Sequence, residues 1–295
     1  MDLVTVFAEQ AGLTDLQSIA EGLESRVYRA TSSARGQVIL RIPKYKVFQN
    51  VNDPNTNAAD LVKQEKQIYD LLSAGPVPVP KAHGYYEIDG YPAMVCEFVE
   101  TDGSEPSVSD MGRVLALIHS TPLGSLDEDK PLVAMENTNA IETTLVERML
   151  RRFKQFAIAE PAAKSWIPDE AVLRPIAEQL RRLPNCLLHM DYRDVNFRVK
   201  KRKIIAVFDW TNALVGPAMV DICRVLEHAE RPMDEFLPAY NRFRDVEEIS
   251  PSEETFLRLD AALMLALVFI SEAPDPERRV VSVKRVEELC RALAT

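Results

Sequence analysis

The pattern of apolar and polar positions divides the chain into a strand-rich beginning and a helix-rich remainder. Residues 1–12 predict a short helix, and residues 18–44 predict three antiparallel strands separated by glycine turns. Apolar residues at helical spacing predict a further helix over 58–74. Residues 75–103 then predict a proline-rich extended segment and two strands joined by a turn at 88–91.

Helical periodicity dominates after Ser107. Apolar residues recur three and four positions apart in three segments, 108–120, 141–160 and 169–184. An island of β character interrupts them at 187–210, where two apolar runs flank a charged turn. The order of elements predicts an α+β fold with two lobes. Residues 1–99 are expected to form a small sheet lobe, and residues 100–295 a larger, mostly helical lobe.

Composition and charge exclude several classes of protein. The chain has 46% hydrophobic and 27% charged residues with 10 glycines, as in globular proteins and unlike disordered or collagen-like chains. A formal net charge of −10 argues against nucleic acid bound over a broad surface. The basic run at 200–203 admits a nucleic-acid patch or a solvated hairpin turn, and its position between two strands favours the turn.

The four cysteines indicate neither a metal site nor a disulfide framework, and the apolar runs do not indicate a membrane-spanning segment. The cysteines are scattered without a C-x-x-C pair. The longest apolar run, 261–270, is about half of the roughly 20 residues that span a bilayer. The N-terminus lacks the pattern of a secretory signal. We therefore expect a cytoplasmic protein without a membrane partner, either a monomer or a homodimer.

The polar residues with the most specific spacing lie in the β island. His189, Asp191 and Asn196 form the pattern H-x-D-x-x-x-x-N, and Asp209 follows across a hairpin. Phosphoryl transfer to a hydroxyl needs one carboxylate that accepts the hydroxyl proton, and separate oxygen ligands for the metal ions that hold the nucleotide phosphates. Asp191 suits the first task, and Asn196 and Asp209 suit the second, because Mg²⁺ prefers hard oxygen ligands. His189 is expected to organise the loop backbone.

The segment HMDYRDVN, with FDW downstream, resembles the catalytic and metal-binding motifs of the aminoglycoside phosphotransferase family. This family includes choline kinase-like enzymes and shares the protein-kinase-like fold, and the resemblance extends over nearly the whole chain. It implies that Asp191 is the catalytic aspartate, that Asn196 and Asp209 bind Mg²⁺, and that Asp221 braces the catalytic loop. The chain departs from the family at 217–218, where Pro-Ala replaces a frequent Asp-Pro pair.

The same resemblance implies a nucleotide-binding site in the first lobe. Strand alternation puts Ile39 and Arg41 on one face, where Ile39 would cover an adenine and Arg41 would reach the phosphates. The family places Lys or Arg at this position, and arginine keeps a permanent charge. Glu65 on the following helix is the expected partner of Arg41. A surface arginine and an unrelated glutamate are the alternative.

Two further segments complete the expected nucleotide site. The turn at 22–25 lies where a phosphate-covering loop should be, so backbone N–H groups and the Ser25 hydroxyl would contact phosphates. A single glycine is a weak signal, and a plain hairpin turn is the alternative. The resemblance implies that Glu97 and Val99 offer backbone groups to the base. The polar stretch at 44–57 would cover the nucleotide or form a mobile link.

Two other polar residues have their own interpretations. Arg193 follows Asp191 by two positions, where a cation would offset charge that develops in the transition state. A contact with Asp194 that stiffens the loop is the alternative. His119 lies on an apolar helix face and is interpreted as a packed or capping residue.

Together these features predict a Mg²⁺-dependent kinase that transfers the γ-phosphoryl group of ATP or GTP to a hydroxyl of a small molecule. The helical insert around 141–158 and the acidic final third would form the acceptor site. Six carboxylates are available there for ammonium groups: Glu227, Glu230, Asp234, Glu235, Asp260 and Glu272. An aminoglycoside-type acceptor, and with it antibiotic resistance, therefore fits.

Choline, an amino alcohol, a macrolide or a sugar fit the same motifs, because these motifs specify the nucleotide half of the reaction. Two alternatives belong to other classes. They are a catalytically silent nucleotide-binding protein of the same fold and a metal-dependent phosphohydrolase that uses the same polar cluster.

Overall fold

The computed structural model describes residues 2–22, 24–49, 51–52, 54–126, 132–133 and 140–294. In chain order, the described helices and strands are α1 (Leu3–Ala11), β1 (Leu13–Glu21), β2 (Ser25–Ser32), β3 (Gly36–Pro43), β4 (Val47–Gln49), β5 (Pro54–Asn57), α2 (Ala58–Leu72), β6 (Ala82–Ile88), β7 (Tyr91–Glu97), α3 (Val108–His119), α4 (Ile141–Ala159), α5 (Glu170–Gln179), β8 (Asn185–Leu188), β9 (Phe197–Lys200), β10 (Lys203–Val207), β11 (Leu214–Pro217), α6 (Ala218–Glu227), α7 (Phe236–Tyr240), α8 (Pro251–Leu267) and α9 (Pro276–Leu293). A short π-helical turn, Val268–Glu272, follows α8.

A five-stranded antiparallel sheet with the order β1-β2-β3-β7-β6 forms the first lobe. Alternation along β3 determines what each face does. Val38, Leu40 and Ile42 are buried in a cluster that includes Phe7 of α1. The intervening Ile39 and Arg41 are only partly buried and share the opposite face. The predicted common face of these two residues is therefore confirmed.

Two hairpin turns lie where the sequence predicts them, and both contain residues with positive φ. The turn between β6 and β7 has positive φ at Asp89 (50°) and Gly90 (74°), as two-residue hairpins require. The basic run forms the turn between β9 and β10, with positive φ at Lys201 (52°) and Arg202 (62°). Both predicted hairpins are confirmed.

One expectation about the first lobe was wrong, and one segment has structure that its polar composition did not indicate. β1 begins at Leu13, earlier than the predicted start at 18, and most of its later residues are exposed. An edge strand with one buried residue has no apolar alternation to reveal it. The stretch at 44–57, expected to cover the nucleotide or to form a mobile link, contains the hairpin β4–β5, in which Val47 pairs with Asn57.

Packed helices and four short strands, paired as β8–β11 and β9–β10, make up the described part of the second lobe. Its core includes the fully buried Trp210 and apolar residues from the α3, α4, α6 and α8 helices. α3 approaches α7 closely at Gly112, where a Cβ atom would lie 2.2 Å from the carbonyl oxygen of Phe236. Within the described ranges, none of the helices has the length and apolar character needed to cross a bilayer.

The polar residues of the pattern H-x-D-x-x-x-x-N, and Asp209, lie at the ends of strands in this lobe. Residues 189–196 form the loop between β8 and β9, and Asp209 follows the end of β10. β8 pairs with β11, which leads directly into α6, so Asp221 in the first turn of α6 lies beneath the loop.

Candidate active site

Asp221 holds the backbone of the loop at 189–196. Its buried carboxylate accepts hydrogen bonds from the backbone N–H groups of His189 (2.6 Å) and Met190 (2.7 Å). Met190 has a φ of 65°, a conformation that costs a non-glycine residue about 1–3 kcal/mol. Burial opposes the charge of Asp221, but the bonds from His119 and the loop outweigh it and lower the pKa of the carboxyl. Asp221 thus has the position that the resemblance implied.

His119 supports Asp221 from the other side. This histidine is 1% exposed, so the prediction of a packed residue is confirmed. Its Nε2 lies 3.3 Å from Asp221 Oδ2, and its Nδ1 lies 2.9 Å from the Tyr240 hydroxyl. The sequence alone does not indicate these two partners. The apolar helix face indicated burial, but nothing in the spacing pointed to Asp221, which lies on another helix.

Both ring nitrogens of His189 are used within the loop. The backbone N–H of Asp191 can only donate, so His189 Nδ1 accepts this bond at 3.2 Å. Nε2 therefore carries the proton and donates to the carbonyl oxygen of Phe208 at 2.9 Å. The imidazole also packs 4.5 Å from the Trp210 ring, centroid to centroid. With both nitrogens engaged, His189 ties the loop to the end of β10 and has no nitrogen free for proton transfer.

Asp191 is oriented by two neighbours in the same loop. Asn196 Nδ2 donates to Asp191 Oδ2 and to its carbonyl oxygen, each at 2.8 Å. Arg193 Nε lies 2.7 Å from Asp191 Oδ1, and the Arg193 side chain is 61% exposed. The alternative contact of Arg193 with Asp194 is wrong, because Asp194 accepts a hydrogen bond from Arg231 at 2.9 Å. Arg193 instead shields the carboxylate that was predicted to act as the base.

Asn196 and Asp209 form a donor set that fits Mg²⁺. Because the Asn196 amide nitrogen donates to Asp191, its oxygen is the atom left for a metal. Asp209 has a φ of 62°, and its Oδ1 accepts the Thr211 hydroxyl at 2.7 Å. Burial opposes ionisation of Asp209, yet Arg41 and Thr211 outweigh it and lower the pKa of this carboxyl. An amide oxygen and an ionised carboxylate are hard ligands that suit this ion.

This donor set needs help from elsewhere to hold a metal ion. Among the residues with described positions, no group of three His, Cys, Asp or Glu side chains could hold a metal ion. Mg²⁺ typically takes one or two protein carboxylates, with waters and phosphate oxygens completing its octahedron. The site therefore fits an ion that arrives with a nucleotide.

Arg41 connects the first lobe to this site. Its guanidinium forms a close ion pair with Glu65 Oε2, donates from Nε to Ser25 Oγ at 3.3 Å, and lies 3.6 Å from Asp209 Oδ1. Glu65 is fully buried and also accepts the Tyr69 hydroxyl at 2.9 Å. Burial disfavours the charge on Arg41, but Glu65 and Asp209 outweigh it and raise its pKa. The alternative of an exposed arginine and an unrelated glutamate is therefore wrong.

Three of the other predicted nucleotide residues, Ser25, Ile39 and Glu97, lie on the same sheet as Arg41. Ser25 begins β2, and the Gly22 N–H donates to its carbonyl oxygen at 2.9 Å, which closes the predicted turn. Leu23 of this turn lies outside the described residues. Ile39 pairs with Cys96 of β7, one residue before Glu97. Val99 follows and is half-buried.

Most of the acidic residues expected to bind ammonium groups already have partners. Glu227 is bound by Arg285 at 2.6 and 2.9 Å and by Arg258 at 3.3 Å. Asp260 is bound by Arg152 and Arg224. The expectation that these two carboxylates are available to a ligand is therefore wrong.

The remaining four acidic residues differ in their contacts and in their exposure. Glu230 lies 3.5 Å from an Arg278 nitrogen. Glu272 accepts two hydrogen bonds from Asn52. Asp234 and Glu235 are exposed before α7.

Solved structures of several proteins align with almost the entire chain. The first is a thermostable mutant of an aminoglycoside phosphotransferase, crystallised with AMP-PNP and hygromycin B. It is 16% identical, with a TM-score of 0.62, and the alignment covers 99% of this chain and 98% of that one. The second is a putative fructosamine-3-kinase from Haemophilus somnus, 15% identical with a TM-score of 0.66, covering 99% and 96%.

A third is an aminoglycoside phosphotransferase in complex with gentamicin, 13% identical with a TM-score of 0.59, covering 98% of each chain. These similarities confirm the predicted α+β, protein-kinase-like fold. No curated protein matches the sequence. The sequence does match the phosphotransferase enzyme family over residues 15–253. This chain is therefore a member of the phosphotransferase enzyme family.

Proposed function

We propose that the protein is a Mg²⁺-dependent kinase that transfers the γ-phosphoryl group of ATP to a hydroxyl of a small molecule. The observation that carries the proposal is the convergence of two lobes on one point. Arg41 of the sheet lobe contacts Asp209, and Asn196 contacts Asp191 within the adjacent loop. These contacts support a single site in which Arg41 would bind phosphate, Asn196 and Asp209 would hold the metal ion, and Asp191 would act as the base.

The nucleotide would lie between a first lobe at 1–99 and a second lobe at 100–295. Ile39 would contact the base, backbone groups of Glu97 and Val99 would bind its edge, and Arg41 and Ser25 would bind phosphate oxygens. A related phosphotransferase crystallised with AMP-PNP supports ATP as the donor. GTP could form the same backbone contacts and is the alternative donor. An ATP requirement also favours a cytoplasmic location.

Asp191 would act as the base. The acceptor hydroxyl donates its proton to this carboxylate as its oxygen bonds to the γ-phosphorus, and the bond from that phosphorus to the β,γ-bridging oxygen breaks. Asn196 holds Asp191 Oδ2 in place through its amide nitrogen. Arg193 would move from Asp191 Oδ1 to the transferred group, where its charge offsets negative charge in the transition state. Mg²⁺ held by Asn196 and Asp209 would neutralise phosphate charge.

The acceptor is proposed as a small hydroxylated molecule. Two of the similar structures contain aminoglycosides, hygromycin B and gentamicin, which puts this class in the first panel. The arginine partners of Glu227 and Asp260 remove two of the carboxylates expected to bind a polycation. The panel therefore extends to choline, amino alcohols, sugars and macrolides.

The test is nucleotide consumption across this panel, with each phosphorylated product confirmed by mass. Asp191→Asn should abolish turnover and leave nucleotide binding in place. Asp194→Asn is the matched control, because this aspartate lies in the same loop but is bound to Arg231. Equal turnover by the wild type and Asp191→Asn would refute the assignment of the base.

A further inference from the structure

Strand β9 carries an arginine on the face that is turned away from the core of the second lobe. Phe197 and Val199 of this strand are buried in that core. Because side chains alternate along a strand, Arg198 projects from the opposite face, and it is half-buried. Arg198 follows Asn196 by two positions, so it lies next to a residue proposed to hold the metal ion.

The guanidinium of Arg198 lies over the ring of Phe208. Its Cζ atom is 5.1 Å from the ring centroid, a distance at which a cation is attracted to the face of an aromatic ring. Phe208 directly precedes Asp209, and its N–H donates to the carbonyl oxygen of Asn196 at 2.9 Å. Arg198 and Phe208 thus form a cation–π pair beside the two proposed metal ligands.

The charge of Arg198 has no acidic partner among the residues that the structure describes. Its Nη1 donates to the carbonyl oxygen of Phe197 at 3.3 Å, whereas a guanidinium has five N–H donors. Phe208 is half-buried, and within the described ranges it neither belongs to a buried apolar cluster nor packs against one. The pair therefore has an unneutralised charge and an aromatic ring outside the core.

Ile39 is an apolar residue on the other side of the cleft. Arg41 Nη2 lies 3.6 Å from Asp209 Oδ1, which puts this face of β3 opposite a proposed metal ligand. Ile39 shares that face and lies two residues earlier, about 6.6 Å along the strand. It is half-buried, and no buried cluster of the described residues includes it or contacts it.

The segment that joins the two lobes lies close to both of these positions. Ile39 pairs with Cys96, near the end of β7. On the side of the second lobe, Val199 accepts a hydrogen bond at its carbonyl oxygen from the Thr101 hydroxyl at 2.6 Å. Ile39 and Arg198 therefore lie on opposite sides of the cleft, both towards the connecting segment and away from the proposed phosphate site.

We propose that Arg198 binds one face of the purine base of the nucleotide donor and that Phe208 supports its guanidinium from the other side. The inference rests on the proposed function, because it takes Ile39 as the residue that covers the opposite face of the base. A planar guanidinium stacks on aromatic faces and is weakly hydrated, so it can lie between Phe208 and the base. Adenine and guanine both offer such a face and differ at their edges, so this contact favours purine nucleotides without distinguishing ATP from GTP.

The first test replaces Arg198 by methionine, which keeps a long side chain against Phe208 but removes the planar charge. The dissociation constants of Mg²⁺–ATP and Mg²⁺–GTP, measured by calorimetry, should each rise about tenfold, which corresponds to about 1.4 kcal/mol. Lys203→Met is the matched control, because it removes the same charge at an exposed position of the neighbouring strand β10, and it should change neither constant. Unchanged affinity for both nucleotides in Arg198→Met would overturn the inference.

Two partial ligands separate a contact with the base from a general effect of charge on the site. Mg²⁺–tripolyphosphate offers the phosphates without a base, and adenosine offers the base without phosphates. Arg198→Met should weaken adenosine by the same factor as ATP and leave the affinity for tripolyphosphate unchanged, which also demonstrates that the site is folded in the variant. An equal loss of affinity for tripolyphosphate and ATP would contradict a contact between Arg198 and the base.

The two proposals fail in different ways. A wild-type protein that binds neither ATP nor GTP in the presence of Mg²⁺ would refute the proposed kinase together with this contact. A wild type that hydrolyses nucleotide through Asp191, together with an Arg198→Met variant of equal nucleotide affinity, would refute only the contact with the base.

Discussion

Replacing Asp221 by asparagine should both destabilise the protein and slow phosphoryl transfer. The carboxylate accepts two short backbone hydrogen bonds, from His189 and Met190, in a site that is 1% exposed. The amide keeps one acceptor oxygen and turns an N–H donor towards the other backbone N–H group. A hydrogen bond to a charged group contributes about 1.5–3 kcal/mol, and a buried donor without a partner costs about 1–3 kcal/mol.

From these contributions we expect the free energy of unfolding to fall by about 3 kcal/mol. At about 2–4 °C per kcal/mol for a chain of this size, the melting temperature should fall by roughly 6–12 °C. The kcat should fall more than the nucleotide KM rises, because Met190, at a φ of 65°, is held in place by the lost bond and directly precedes Asp191.

Calorimetry and steady-state kinetics on Asp221→Asn measure the two effects, with the exposed Asp245→Asn as the control. A variant within about 0.5 kcal/mol of the wild type, the range usual for surface substitutions, with an unchanged kcat, would refute the bracing role of Asp221.

Three other substitutions test separate parts of the site. Glu65→Gln removes the buried charged partner of Arg41, so it should lower the free energy of unfolding in a urea titration by about 3 kcal/mol and raise the nucleotide KM. Glu87→Gln is the control, because its exposed pair with Lys63 should contribute less than about 1 kcal/mol. Asp209→Asn should raise the Mg²⁺ concentration needed for half-maximal activity, and an unchanged Mg²⁺ dependence would argue against this ligand. Burial and Arg224 lower the pKa of His228 from 6.5 to about 4. Between these pH values the unfolded chain binds more protons than the folded protein does. The free energy of unfolding should therefore rise with pH across this window, by at most about 3 kcal/mol. His228→Gln, which can keep the bond to Ala261, should flatten this pH dependence, and equal slopes for both proteins would refute it.

Features that depend on local spacing could be predicted from the sequence. The turns at Asp89 and Gly90 and at Lys201 and Arg202 are each set by a few neighbouring residues. The alternation that puts Ile39 and Arg41 on one face is similarly local. In each case the responsible interactions lie within a single strand or loop, so residue names and their order are sufficient.

Features that depend on packing between distant segments could not be predicted from the residues alone. His119 and Asp221 are 102 positions apart, and they meet because α3 and α6 both pack against β8. The positive φ of Met190 and Asp209 has no signal in residue type, since it is imposed by the partners of the surrounding loop. An acidic composition likewise does not show that arginines from α8 and α9 bind Glu227.

The most direct test of the central claim uses water as the acceptor. Slow release of inorganic phosphate from ATP is measured without any other acceptor, with and without Mg²⁺, for the wild type, Asp191→Asn and Asp194→Asn. The account predicts Mg²⁺-dependent release by the wild type and Asp194→Asn, and none above background by Asp191→Asn. Release that persists in Asp191→Asn, or that needs no Mg²⁺, would contradict a phosphoryl-transfer site built from Arg41, Asp191, Asn196 and Asp209.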